Sequence, residues 1–300
     1  MTRFPYRLSR RPEERFRALG GTMDLVKSTE VFHFVSGKIK AREKAIIANH
    51  NLHSLYLIQK DDEIREFFNK ADLIEVDSMP LIFWARINGR PSRRFHRATY
   101  LDWRDEFWGQ ASEQGWRVFF LGGEPGVGEA ARERILGQWP DIQLATHHGY
   151  FDMDVGSAEN AAVVDEINAF APDILLVGMG MPRQEVWIHR NDAQLSVCVS
   201  FTVGGAIDYE AGVQTPAPRW LGQFGVEWIY RLIIDPRRKF HRYCVEPFHL
   251  LLPALSDLLA ARGRQSQPPT GYVSPEQAGS TGVTASDFPG GDANLVGSEQ

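Results

Sequence analysis

Cysteine is nearly absent from this chain. Only Cys198 and Cys244 occur in 300 residues, both in apolar or aromatic company, which argues against a disulfide scaffold. No Cys/His cluster has metal-ligand spacing, so a structural zinc site is not expected either. Long hydrophobic runs are missing too. The most apolar segment, Phe248 to Ala261, is one helix long and contains Asp257, short of the roughly 18–20 apolar residues that span a bilayer. Neither sign of charge dominates, with 33 Lys and Arg against 38 Asp and Glu and a net charge of −5. That balance is not the footprint of a nucleic-acid binder. Glycine (27) and proline (17) stay near ordinary usage, which speaks against collagen-like or wholly disordered chains. The first 20 residues are rich in arginine without an apolar run and do not read as a secretory leader. The expectation is a protein of a reducing compartment, soluble or peripheral to a membrane.

With 43% hydrophobic residues the chain can bury one large core or two small ones. Residues 1–22 read as a basic, flexible arm, and residues from Gly263 onward as a disordered tail rich in Gly, Ser, Pro, Gln and Thr. Between them short apolar runs alternate with amphipathic stretches. Strands are predicted at Ala45–Ala48, Leu73–Val76, Arg117–Leu121, Ile142–Ala145, Ile174–Val177 and Ser196–Thr202. Helices are predicted at His53–Ile58, Glu63–Phe68, Pro80–Ile87, Tyr100–Gln114, Gly128–Gln138, Ala158–Phe170 and Pro182–Asn191. Such alternation predicts an α/β core over residues 23–217, a parallel sheet covered by helices on both faces. Ligands of these sheets bind at the carboxyl ends of the strands, so the residues after each strand carry the functional expectations.

After the third predicted strand the chain reads Gly122-Gly123-Glu124-Pro125-Gly126-Val127-Gly128. Glycines let the backbone approach a ligand, and the following helix offers free N–H groups to a phosphate. The spacing is not GxGxxG, and Glu129 stands where a phosphate-binding P-loop needs Lys. The same logic holds for Gly178-Met179-Gly180-Met181-Pro182-Arg183-Gln184-Glu185, where Arg183 and Gln184 would reach a diphosphate or a sugar hydroxyl. It holds again for Gly204-Gly205-Ala206-Ile207-Asp208, with Asp208 facing a base or ribose. Plain strand-to-helix turns with a capping residue remain the alternative for each. Asp77 follows its strand directly, beside a helix start. It either caps that helix or accepts a proton from a substrate hydroxyl, and the helix dipole is expected to lower its pKa. Asn49 and His50 form a second polar pair at the same edge.

Residues 218–262 read as a basic, aromatic helical segment. Between Pro218 and Tyr243, six basic residues face two acidic ones, interleaved with Trp220, Phe224, Trp228, Tyr230, Phe240 and Tyr243. Arginine clusters suit phosphates and aromatic side chains suit a membrane interface, with about 1 kcal/mol per basic residue near an anionic bilayer. A solvated helical face packing its aromatics on the core is the other reading.

Taken together these segments resemble the WecG/TagA/CpsF family of bacterial glycosyltransferases, family 26, from about Ile46 to Tyr243. The resemblance rests on His148-Gly149-Tyr150-Phe151, on Val177-Gly178-Met179-Gly180 with Pro182 and Gln184-Glu185, and on Val203-Gly204-Gly205 with Asp208. The run from Gly225 through Glu227-Trp228-Ile229-Tyr230-Arg231-Leu232, continued by Pro236-Arg237-Arg238 and Arg242-Tyr243, completes it. It implies a Rossmann-like nucleotide-binding core and transfer from a UDP-sugar to a polyprenyl-diphosphate-linked sugar. It further implies inversion, no metal cofactor, and a peripheral position on the cytoplasmic face of the membrane, with an anionic membrane surface as partner and no nucleic acid. A homo-oligomer stays open. Within the resemblance Asp77 is the catalytic base. Asn49, His50, Arg97, Thr99, Asp102, Gln184, Arg231, Arg238 and Arg242 bind substrate, and the basic C-terminal segment closes over the site. Gly122, Gly123, Tyr150, Gly178, Gly180, Gly204, Gly205 and Asp208 hold the nucleotide. Ser78, Ile47 and Tyr100 depart from the family pattern around the acceptor pocket. Two other functions fit an α/β chain of this kind: a non-catalytic UDP-sugar-binding subunit, and a nicotinamide-dependent oxidoreductase.

Overall fold

The computed structural model describes residues 15–218, 221 and 226–265. Six strands form one parallel sheet: β3 (Ala45–His50), β4 (Leu73–Val76), β5 (Arg117–Gly122), β6 (Gln143–His147), β7 (Ile174–Gly178) and β8 (Val199–Thr202). Their spatial order is β4-β3-β8-β7-β5-β6, every pair parallel. The α/β, Rossmann-like class expected from the alternation is what the chain adopts.

Because both sheet faces are covered, the strands carry continuous apolar runs rather than alternating ones. The period of two still sorts their side chains. Ala48, Ile74, Val76, Leu121 and Val177 point to a core built with α3 (Asp62–Lys70), α4 (Met79–Ile87), α7 (Ala158–Phe170) and α8 (Arg183–Asn191). Ile47, Leu73, Phe120, Leu176 and Phe201 point to the opposite core, with α1 (Ser28–Ala41), α5 (Tyr100–Gln114), α6 (Val127–Gln138) and α9 (Ala206–Glu210).

Two N-terminal features were not expected, a hairpin and a helix. β1 (Arg15–Ala18) and β2 (Gly21–Asp24) pair antiparallel, with Leu19 and Gly20 at the turn both at positive φ, the geometry of a two-residue hairpin. Phe16, Ala18, Leu19 and Met23 are buried, and the Asp24 carboxylate accepts the Ile74 N–H at 2.8 Å. The basic arm predicted over residues 1–22 therefore ends at the latest at residue 14, and residues 1–14 lie outside the described ones. The second is α1, whose first turn is held by the Glu30 carboxylate accepting the Lys27 N–H at 2.8 Å.

The C-terminal segment is helical as expected, in short pieces: Glu227–Ile234, Pro236–Phe240, a π-helical turn His241–Val245, Glu246–His249 and Leu251–Gln265. Asp257 anchors the last piece, accepting from the Leu19 N–H at 2.8 Å and the Trp84 indole N–H at 2.9 Å. The tail predicted from Gly263 lies, beyond Gln265, outside the described residues. No described helix is long and apolar enough to cross a membrane.

Candidate active site

A cavity of about 1020 Å³ opens at the carboxyl edge of the sheet, between the strand ends and the Glu227–Tyr243 segment. Parallel pairing delivers the residues. Asn49 lies beside Glu75 and His50 beside Val76 in the β3–β4 register. Side chains alternate, so Asn49, Glu75 and Asp77 share one face and His50 takes the other. Asn49, Glu75 and Asp77 line the cavity. Asn49 is held by an Nδ2–H donated to the Thr202 carbonyl at 2.8 Å.

His50 is the one predicted substrate residue that the register turns away. It is fully buried, stacked on Phe68 at 4.0 Å, with Nδ1 against the Ser54 hydroxyl at 2.8 Å. Burial pushes its pKa down to about 3, so it is a neutral core residue. Parity rather than chemistry excludes it from the site.

Asp77 sits half-buried in the cavity wall. Among the described residues no hydrogen bond or ion pair engages its carboxylate. Burial pushes its pKa up to about 7, the positive charges of Arg231, Arg97 and Arg242 opposing and Glu227 adding to the rise. This corrects the expected direction. A helix dipole is worth roughly 0.3–1 kcal/mol near a surface, whereas desolvation shifts a buried carboxyl by several pKa units. The helix cap does not recruit Asp77 either: Ser78 occupies the N-cap position of α4, at φ −155°, and no side chain caps it.

Arg97 is fixed by a bond to the Asp102 carboxylate at 3.0 Å, which also accepts from the Thr99 hydroxyl at 2.7 Å. Arg97 and Thr99 line the cavity; Asp102 lies behind them and acts by holding both. Arg231 donates from Nε to Glu227 at 2.9 Å and from a terminal nitrogen to the Tyr209 hydroxyl at 3.2 Å. Glu227 also lies 3.6 Å from Arg97, so one carboxylate bridges the C-terminal segment to the core. Arg242 lines the same cavity. The Arg238 side chain lies outside the described residues.

The glycine turns divide into two kinds. A Cβ on Gly122 would meet the Gly178 carbonyl oxygen at 2.4 Å, and one on Gly178 would meet the Gly204 carbonyl oxygen at 2.6 Å. These two glycines let the ends of β5, β7 and β8 pack together, and Gly122 does not line the cavity. Gly180 and Gly204 have φ of +75° and +57° with open space around them. There the left-handed turn itself requires glycine. Gly123, Gly178, Gly180, Gly204, Gly205, Tyr150 and Asp208 line the cavity. Burial and the nearby Glu124 raise the Asp208 pKa. Gln184 reaches the cavity, but both ends of its amide are engaged. Its oxygen accepts the Gly204 N–H at 3.0 Å, and its nitrogen donates to Glu185 at 2.8 Å. It fixes the Gly204 turn.

Sequence reasoning did not pick out Glu75, Tyr209 or the bridging role of Glu227. A charged residue inside the otherwise apolar four-residue strand Leu73–Val76 was the available signal for Glu75. The family departures have structural reasons. Ile47 is core, and the buried Tyr100 hydroxyl donates to Glu210 and accepts the Trp108 indole N–H at 2.9 Å. Ser78 needs no glycine freedom at φ −155°. Among the described residues no three His, Cys, Asp or Glu side chains gather as a metal site.

Residues 16–264 match the glycosyl transferase WecG/TagA/CpsF family. The chain is 33% identical over 205 residues to the N-acetylglucosaminyldiphosphoundecaprenol N-acetyl-beta-D-mannosaminyltransferase of Staphylococcus aureus strain MRSA252, covering 65% of this chain and 78% of that protein. It is 32% identical, with the same coverage, to the protein of that name in strain NCTC 8325 / PS 47. The parallel sheet, the carboxyl-edge cavity and this match over most of the chain agree: the chain belongs to the WecG/TagA/CpsF family and is a glycosyltransferase.

Proposed function

We propose that this glycosyltransferase moves a sugar from a UDP-sugar to a hydroxyl of a polyprenyl-diphosphate-linked saccharide, with inversion and without a metal, in bacterial exopolysaccharide or other cell-surface polysaccharide assembly. One observation carries the reading: the unpaired Asp77 carboxylate shares a cavity with Arg97, Arg231 and Arg242. A base tuned near neutrality is suited to taking a hydroxyl proton, and clustered guanidinium groups suit diphosphates. The relatives' names specify a diphosphoundecaprenol-linked acceptor, which fits a lipid-borne acceptor here.

In this reading the nucleotide lies over the Gly123, Gly180 and Gly204 turns, with Asp208 and Tyr150 at its base and ribose. Asp77 accepts the proton of the acceptor hydroxyl. That oxygen bonds to the anomeric carbon from the face opposite UDP while the carbon–oxygen bond to the diphosphate breaks. The electron pair leaves on UDP, and the arginines neutralise the developing charge. The acceptor's lipid end brings the site to a membrane. Leu251, Leu252, Leu255, Leu258 and Leu259 are exposed on the last helix, an apolar row that suits the interface beside the basic segment.

The first experiment is thermal stability with UDP, UDP-sugars, NADH and ATP, each with and without EDTA, since a ligand of the native state raises Tm by mass action. Stabilisation by UDP compounds that survives EDTA, followed by transfer to a lipid-linked N-acetylglucosamine acceptor, is expected. A response to NADH alone, or UDP-sugar binding without transfer, overturns the reading.

A further inference from the structure

Glu75 is a carboxyl with no structural task. It lies two residues before Asp77 on β4, so both side chains leave the strand on the same face. It is only 3% exposed yet lines the cavity, deeper than Asp77. Its cross-strand neighbour Asn49 has turned its amide nitrogen to the Thr202 carbonyl. Among the described residues nothing hydrogen-bonds or ion-pairs with Glu75. Its carboxyl faces the cavity, and a strand position flanked by Ile74 and Val76 does not need a charged residue.

We propose that Glu75 is a sugar-contacting residue, donating its carboxyl O–H to an oxygen of the sugar whose hydroxyl Asp77 deprotonates. The inference rests on the transferase reading above and adds a second residue to its acceptor pocket.

The surrounding charges support a proton on Glu75. Facing this end of the strand are Asp77 just after β4, Arg97 after α4, Tyr100 on α5, Tyr209 on α9, and Glu227, Arg231 and Arg242 on the C-terminal segment. Of these, Asp77 acts on Glu75 directly, and its negative charge together with burial pushes the Glu75 pKa up to about 8. Glu75 is the more deeply buried of the two and has the Asp77 charge beside it, so it is the carboxyl that keeps its proton to higher pH. A protonated carboxyl is a hydrogen-bond donor, which an ionised one is not. Two carboxyls of one site with separated pKa values divide into base and donor.

The test compares wild type, Glu75→Gln and Glu75→Leu in two measurements. Infrared difference spectra of the free, full-length protein between pH 6 and 9 read the protonated-carboxyl stretch. A band lost above about pH 8, and absent in Glu75→Gln, is expected. Transfer rates are then measured across the same pH range. Wild type should fall on the alkaline side as Glu75 ionises. Glu75→Gln keeps a donor that cannot ionise, so it should stay within a few-fold of wild type and lose that alkaline fall. Glu75→Leu should lose tenfold or more in kcat/KM with Tm at or above wild type. An unchanged alkaline limb in Glu75→Gln, full activity in Glu75→Leu, or a Glu75 already ionised at pH 7 overturns the inference while leaving the transferase reading intact. No transfer by wild type from any UDP-sugar, with the infrared band present, overturns the transferase reading and the sugar contact with it.

Discussion

Asp77→Asn is the sharpest probe of the site. The amide has the volume of the carboxyl, and no described residue loses a hydrogen bond or an ion pair when it is introduced, so the fold should be untouched. What disappears is proton acceptance. A positioned general base contributes roughly 10²–10⁴ in rate, equivalent to about 3–5 kcal/mol of barrier. Turnover should fall by that factor. Donor affinity should hold or tighten, because a negative charge has been removed from beside Arg97, Arg231 and Arg242. The pH dependence adds a second, independent reading. With a pKa of about 7, Asp77 is ionised in about one molecule in ten at pH 6 and nine in ten at pH 8; with Glu75 about half ionised by pH 8, wild-type kcat/KM should climb about fivefold across that interval, and close to tenfold in Glu75→Gln. An ordinary aspartate would be flat there. Transfer is followed with labelled UDP-sugar and a lipid-linked acceptor from pH 5.5 to 8.5, and donor binding by calorimetry. An Asn variant within threefold of wild type, or one that keeps the acid limb, would refute Asp77 as the base.

Arg231→Ala removes a cation that lowers the Asp77 pKa. Its acid limb should move to higher pH, and donor binding should weaken about tenfold or more, since a hydrogen bond to a charged group is worth roughly 1.5–3 kcal/mol; an unmoved limb counts against the assignment. His50→Leu should leave both KM values unchanged. Its folded pKa of about 3 lies below the ordinary 6.5, so wild-type stability is complete above about pH 6.5 and is lost as pH falls toward 3. The Leu variant should lack that share of acid destabilisation in Tm measurements from pH 7 to 4. Gly178→Ala drives a methyl against the Gly204 carbonyl, and an overpacking cost of about 1–3 kcal/mol should appear as a lower midpoint in urea. Asp257→Ala breaks the anchor to Leu19 and Trp84; limited proteolysis should then cut the last helix faster while the core resists.

Much of this protein was legible from sequence because its signals are local. Each buried parallel strand shows a short apolar run bounded by turn residues, so neighbours along the chain are enough to give the class and most elements. The turn glycines and Asp77 were legible because they come directly after those runs. The hairpin was not. Its turn places Leu19 at a position where Asn, Asp or Gly would announce it, and a tertiary contact, the Asp257 carboxylate on the Leu19 N–H, holds it. The helix Ser28–Ala41 starts at Lys27 without a side-chain cap from that residue, so its beginning carries little signal.

Folding alone settled which polar residues face the reaction space. Register put Asn49 in the cavity and its neighbour His50 in the core, a difference of one residue that composition cannot show. Close packing of three strand ends requires glycine at Gly122 and Gly178, of which Gly178 also lines the cavity. Burial reversed the expected shift of Asp77, because desolvation depends on everything packed around a carboxyl and the dipole only on the adjoining helix. Glu75 looked like one charge in a strand, and only folding placed it beside Asp77 in a shared cavity. Local patterns along the chain were enough to set the family, the sheet and the presence of a carboxyl-edge site. Which residues belong to that site, and which of them hold a proton, was set by long-range packing, because both depend on distant segments brought together.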